Sequence, residues 1–322
     1  MTSGRQEVTV VIACFTEARW AQLSAAIDSV MRQTLPAREL HVVVDHNDRL
    51  MERVRRQWPS LHVFSNEYAP GASGARNTGA FHASSPIVAF LDDDAVAQPT
   101  WLERLMIAFD DLSVVGAGGH VEASWQHGRP EWFPELFNWI VGASFPGMPD
   151  VVTEVRNVWA ENMAVRYDRF MQVGGFRLHF GKVGTHSSPE DTDLCIRMAA
   201  EGMRWLYVPS ARITHDVPAE RATFRYFMRR AYHEGEGKAM LSSMSAAGHL
   251  TDEVRYTRSL LPRALSRELL NALRARRMSP VSRAASMALG VCAAGLGYGY
   301  TRLFRSSGPT VSTVASTGLT ES

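Results

Sequence analysis

The apolar run Ile87-Val88-Ala89-Phe90-Leu91 passes without a break into Asp92-Asp93-Asp94. Five consecutive apolar residues suit a strand covered on both faces, because a half-exposed strand alternates polar and apolar side chains. Such a strand belongs in the middle of a sheet, with three carboxylates where it leaves the core. Like charges this close repel, so the cluster calls for a cation or a basic partner. Oxygen-rich sites of this kind suit hard divalent ions such as Mg or Mn, shared with a substrate phosphate. A solvated acidic loop fits the triplet alone equally well.

The neighbouring sequence places that strand. Residues 8–15 read as a buried strand, followed by a helix with Leu23, Ile27, Val30 and Met31 at helical spacing that ends near Pro36. Residues 40–44 form a second strand stopping in Asp45, 49–58 a helix, and 61–64 a third strand. A helix over 74–82, the strand 87–91 and a helix over 100–109 complete the series. Strands alternating with helices predict an α/β fold with a parallel, doubly wound sheet, whose ligands bind at the carboxyl ends of the strands. Glu17, Asp45 and Asp92–Asp94 all fall just beyond such ends.

Two further stretches carry chemistry. In the loop 69–79, Gly71 and Gly74 permit close backbone approach, and the helix beginning near Gly74 offers free N–H groups to an anion. Arg76 suits a phosphate and Asn77 a base or ribose, although glycines leading into a helix also serve as plain turn chemistry. Pro189-Glu190-Asp191 opens a helix, and carboxylates in a first turn need no further reason than the helix dipole. Behind the glycine-bearing segments 174–176 and 181–188, which read as a flexible loop, a carboxylate at this helix start also suits a general base in a closable cleft.

In order and spacing, Phe15-Thr16-Glu17, Val44-Asp45, Gly74-Ala-Arg-Asn-Thr-Gly79, Leu91-Asp-Asp-Asp94, Gly174-Gly-Phe176 and Glu190-Asp191 resemble the family 2 glycosyltransferases of the GT-A fold over about residues 7–217. The resemblance implies a doubly wound mixed sheet with a C-terminal helical extension. It implies inverting hexosyl transfer from a nucleotide sugar, with a UDP-sugar as the expected donor. Asp92 and Asp94 would hold a divalent cation (Mg or Mn) on the diphosphate, with Asp93 near the ribose. Glu17, Asp45 and Arg76 would contact the nucleotide, Glu190 and Asn162 would also help to bind the nucleotide-sugar donor, and Asp191 would deprotonate the acceptor hydroxyl. His215 would add a metal or diphosphate ligand, although a lone histidine is commonly structural. A non-catalytic nucleotide-sugar or glycan-binding module on the same fold is the alternative.

Residues 132–142 resemble a prokaryotic subgroup that includes transferases acting on lipid-linked sugars, so the acceptor is expected on a lipid-linked or cell-envelope glycan. In that family the segments Arg156-Asn157 and Ala160-Glu161-Asn162-Met163, with Arg166, shape the donor-sugar and acceptor pocket; many members have Gly where Ala160 stands. Of Trp125, Trp132, Trp139 and Trp159, one is expected to stack on a sugar and the rest to pack.

Residues 1–220 are expected to form the transferase domain, 221–280 a basic helical extension and 306–322 a Ser/Thr-rich disordered tail. Residues 223–235 with Lys238 form a basic helix whose Arg229, Arg230 and Lys238 can meet a phosphate or simply face solvent. Residues 251–305 hold ten arginines against three acidic residues, whereas the net charge of the 322-residue chain is +1 and argues against a nucleic-acid binder. The 17-residue uncharged run 284–300 lies inside a candidate membrane-associated or spanning helix, 281–305, near the minimum of about 17 to 20 residues for a span; a buried core helix is its alternative. Three widely spaced cysteines show no metal or disulfide pattern. With no signal peptide legible, the catalytic part is expected in the cytoplasm, at the inner face of the cell membrane through its C-terminal region.

Overall fold

A computed structural model describes residues 7–178, 182–183, 186–187, 189–244, 256–275 and 278–304. Strand β1 (Val8–Cys14), helix α1 (Trp20–Met31), β2 (Glu39–Val44), α2 (Asp48–Gln57), β3 (His62–Ser65), α3 (Ala72–Phe81) and β4 (Ile87–Asp92) follow the expected alternation. Local chemistry sets their limits. The Asn47 side chain caps α2 by accepting from the Leu50 amide, with Asp48 in the first turn and Arg55 and Arg56 in the last, each on the favourable end of the helix dipole. Then come β5 (Ala95–Ala97), α4 (Trp101–Met106), β6 (Val114–Trp125), β7 (Thr153–Val155), β8 (Asn162–Arg166) and α5 (Tyr167–Gln172). A short ribbon of β9 (Lys182–Val183) and β10 (His186–Ser187) leads to α6 (Glu190–Met198), β11 (Arg204–Val217) and three C-terminal helices, α7 (Phe224–Met244), α8 (Leu261–Ala275) and α9 (Met278–Phe304).

The main sheet runs β3-β2-β1-β4-β8-β6-β11-β5, with β7 beside β11. The strands β3, β2, β1 and β4 pair in parallel. Strand β8 is antiparallel to both β4 and β6, so the sheet is mixed and the wholly parallel arrangement holds only for its first half. The cause is the path of the chain: β6 ends on the same rim as β4, and the excursion 126–161 returns from that rim instead of crossing back. Alternation within each strand feeds two cores. Val10, Ile12, Ala89 and Leu91 pack with α1 and α4, while Val11, Val43, Val88 and Phe90 pack with α3, α5 and α6.

Helix α9 lies along α7. A Cβ added to Gly235 would collide with the Ala294 carbonyl, and one on Gly297 with the Tyr232 carbonyl, so the backbones touch at these glycines. Among the described residues no helix is long and apolar enough to cross a membrane. That corrects the spanning alternative for 281–305: the small residues that admit α7 also lower the hydropathy, and the run is half-covered by protein. Residues 306–322, with 181, 184, 185 and 188 of the expected loop, lie outside the described residues.

Candidate functional site

The sheet order reverses between β1 and β4, and the rim beyond them opens into a cleft of about 1420 Å³. Asp92 ends β4, while Asp93 and Asp94 form the turn into β5. Their charge is answered on one side by arginines from distant parts of the chain. Arg19 donates to Asp93 Oδ1 at 2.8 Å and stands 3.1 Å from Asp94 Oδ2; Arg221 lies 3.6 Å from the same oxygen. His215, on β11, places Nε2 3.2 Å from Asp94 Oδ1. Burial alone would raise the Asp94 pKa, but His215, Arg19 and Arg221 hold it well below the usual carboxylate range. Asp93 is different: burial and the neighbouring Asp94 push it up to about 7 against the pull of Arg19, and its Oδ2 is buried without a hydrogen-bond partner.

Arg76, buried on α3, spans the site. One Nη donates to Asp92 at 2.6 Å and the other to Glu190 at 3.2 Å. The guanidinium thus joins the end of β4 to the start of α6, and these two carboxylates keep it charged despite its burial. Its ring neighbour is Phe176, 5.7 Å away. Asp191 follows Glu190 on the cleft wall, and its nearest hydrogen bond is from the Thr192 amide at 2.6 Å. Burial, then the charge of Glu190, pushes its pKa up to about 7. A carboxyl in that range can take a proton near neutral pH.

Beside the triplet stands Glu161, half-buried and lining the cleft, with its Oε1 buried and unpartnered. The turn at Gly142 (φ 71°) makes room for it, since a Cβ there would sit 3.1 Å from Glu161 Oε2 and 3.2 Å from His215 Cε1. Burial raises the Glu161 pKa, and it would lower that of His215, which Glu161 and Asp94 instead hold protonated. Arg19, Arg221 and the proximity of Glu161 to His215 around Gly142 carry no motif in the sequence. Only the contacts of the folded chain show them.

Several sequence-predicted residues do other work. Asn77 bonds the backbone of Phe176 through its amide, donating at 2.7 Å and accepting at 2.9 Å, and so clasps that segment to α3. Asn162 accepts from Trp101 Nε1 and donates to the His120 and Ala211 carbonyls, which makes it a core clamp. Arg166 ties down the Phe109, Asp111 and Val114 carbonyls. Asp45 receives the Asn66 amide and the Gly71 N–H, and so holds the loop 69–79 in shape. Glu17 is an exposed rim residue 3.9 Å from Arg53. Trp125 and Trp132 pack on Phe133, whereas Trp139, Trp159, Arg156, Arg229, Arg230 and Lys238 line the cleft. Lys238 lies 3.2 Å from Glu234.

Among the described residues, no three histidine, cysteine, aspartate or glutamate side chains group to hold a metal by themselves. Asp92, the other expected carboxylate ligand, has its Oδ1 paired with Arg76. Asp94 and His215 do fit as a pair, because two adjacent ligands of an octahedral Mg at roughly 2.1 Å stand about 3 Å apart. Mg commonly takes one or two protein ligands and completes its shell with substrate phosphates and water.

The mixed sheet, its switch-point cleft and the acidic turn at the end of β4 define the GT-A fold. A profile described as Glycosyl transferase family 2 matches residues 9–174, and the chain belongs to that family. It is 29% identical over 300 residues to a glucosyl-dolichyl phosphate glucuronosyltransferase of Haloferax volcanii, covering 91% of this chain and 96% of that one. A mannosyltransferase from Pyrobaculum calidifontis, solved with GDP-Man and Mn2+, superposes with TM-score 0.60 at 19% identity over 94% of this chain and 88% of its own. GalNAc-T7, solved with UDP, GalNAc and Mn2+, does so with TM-score 0.54 at 17% identity, over 79% of this chain and 54% of its own.

Proposed function

We propose that this glycosyltransferase moves a sugar from a nucleotide-diphosphate donor, with UDP-sugars as the first expectation, to a hydroxyl of a lipid-linked or cell-envelope glycan presented at a membrane, with inversion at the anomeric carbon. Asp191 accepts the proton as the hydroxyl attacks, and the diphosphate leaves on the side of the triplet. Asp94 and His215 would hold the divalent cation, which when bound offsets charge on the leaving diphosphate. His215 yields its proton when it ligates. Arg19 and Arg221 stand beside Asp94 to meet the phosphates, and Asp93 stands near the ribose. Arg76 fixes the base-bearing helix to β4, and Asp45 shapes the loop beside the nucleotide.

The observation that carries this reading is the Asp191 carboxyl, pushed up to about 7 on the wall of the cleft that also holds the triplet. The subgroup resemblance and the lipid-linked substrate in the Haloferax relative's name support the acceptor class. The test is a panel of UDP- and GDP-sugars with Mn or Mg and polyprenyl-phosphate-linked sugar acceptors. Metal-dependent donor binding and a product of inverted anomeric configuration are expected. Retained configuration would refute the mechanism, and donor binding with no transfer or hydrolysis across the panel would favour the non-catalytic module.

A further inference from the structure

The C-terminal helices expose more apolar surface than their packing explains. On α8, Leu269, Leu270 and Leu273 are exposed, the last 79% accessible. At about 100° per residue they spread over roughly 100° of the helix surface, and Arg263, Arg267 and Arg274 occupy an adjoining sector of about 40°. The sector on the other flank of these leucines, with Leu261 and Leu265, packs on the core. Helix α9 repeats the pattern over about 40 Å. Met278, Val281, Leu289, Leu296, Tyr300 and Leu303 are exposed and fall within about 100° of one another, while Gly290 and Gly297 face inward. Leu273 near the end of α8 and Met278 at the start of α9 are both exposed.

We infer that the outer faces of α8 and α9 form an in-plane docking surface for a lipid bilayer bearing anionic headgroups. Exposed leucines beside arginines are the chemistry of an interfacial helix, with the aliphatic side chains at the headgroup boundary and the guanidinium groups among the phosphates. The charge pattern favours lipid over a second copy of this chain. Glu268 is the single acidic residue of the two helices and is locked to Arg283 at 2.8 Å. A self-complementary interface here would set arginines against arginines. A span is excluded by the low hydropathy of α9 and its seating on α7. The biological use of the surface rests on the proposed lipid-linked acceptor; the surface itself does not.

Cys292 gives the experiment. It is exposed on the outer face of α9, and Cys14 and Cys195 are buried, so a polarity-sensitive fluorophore attached to the folded protein reports from that face. With vesicles of phosphatidylcholine and phosphatidylglycerol, the emission should shift to the blue and the protein should co-sediment; phosphatidylcholine alone should bind far more weakly. Replacing Arg263, Arg267 and Arg274 by Gln should weaken binding on the order of a hundredfold, and Leu296→Asp with Leu303→Asp should abolish the shift, each with the circular dichroism spectrum unchanged. The proposal is overturned by absence of vesicle binding, by binding that leaves the probe unshifted, or by a shift that follows protein concentration without vesicles, which would assign the face to a second copy. Neither donor nor acceptor is present, so this outcome is separate from that of the transfer assay.

Discussion

Two carboxylates in one cleft, Asp94 and Asp191, have opposite surroundings. Asp94 is buried among His215, Arg19 and Arg221, and they hold it ionised far below neutral pH. Asp191 accepts from the amide and the hydroxyl of Thr192, has the like charge of Glu190 beside it, and is pushed up to about 7, chiefly by burial. Identical side chains thus become a fixed anion and a proton acceptor through their neighbours alone. Arg76 sits in the same cleft and pairs with Asp92 and Glu190, the neighbours in sequence of the triplet's Asp94 and of Asp191.

The comparison can be broken at its joint. Arg76→Met would strand two partly buried carboxylates, and a loss of about 3–5 kcal/mol in a denaturant melt is expected, with transfer lost as α6 comes free. Asp94→Asn comes next. A depressed pKa contributes stability above the unfolded value near 3.8 that is lost as pH falls through the folded value. This variant should therefore melt lower at pH 7, by about 2–3 kcal/mol, and should lose the metal-dependent part of donor affinity in calorimetry. Chelating the metal should reproduce the second effect without the first.

Smaller effects sharpen the contrast. Asn77→Ala removes both hydrogen bonds to Phe176 and should cost about 2 kcal/mol while leaving donor affinity intact, which separates a clasp from a ligand. Asp191→Asn should change stability in the opposite direction from Asp94→Asn. A raised pKa means that ionisation penalises the fold, so stability is fully present below the unfolded value and is lost as pH rises through about 7. At pH 8 the asparagine should gain about 1 kcal/mol, and near pH 4 the gain should vanish. The wild-type kcat/KM should fall tenfold for each pH unit below about 7 on the same account.

Much of this was legible in the chain. The run 87–91 announced a central strand, and the order of the acidic motifs announced the fold and the rim on which they meet. Partnership was not legible. Arg19 and Arg221 reach Asp94 from 75 residues before and 127 residues after it, and no spacing rule links them. Asn77 and Asn162 lie in polar motifs that look exposed to ligand, yet the fold brings them backbone carbonyls, a backbone N–H and an indole as partners. The uncharged run 284–300 was ambiguous because hydropathy counts residues without knowing that one face of the helix meets α7. What the sequence could not weigh was the balance of charge around each carboxylate.

The most direct test of that balance is the turnover of Asp191→Asn at saturating donor, with donor affinity measured on the same protein. A general base contributes about 10²- to 10⁴-fold. A fall in turnover of that size with unchanged donor affinity is the predicted result. Turnover near the wild-type rate, or a loss explained wholly by weakened donor binding, would contradict the assignment of the proton to Asp191.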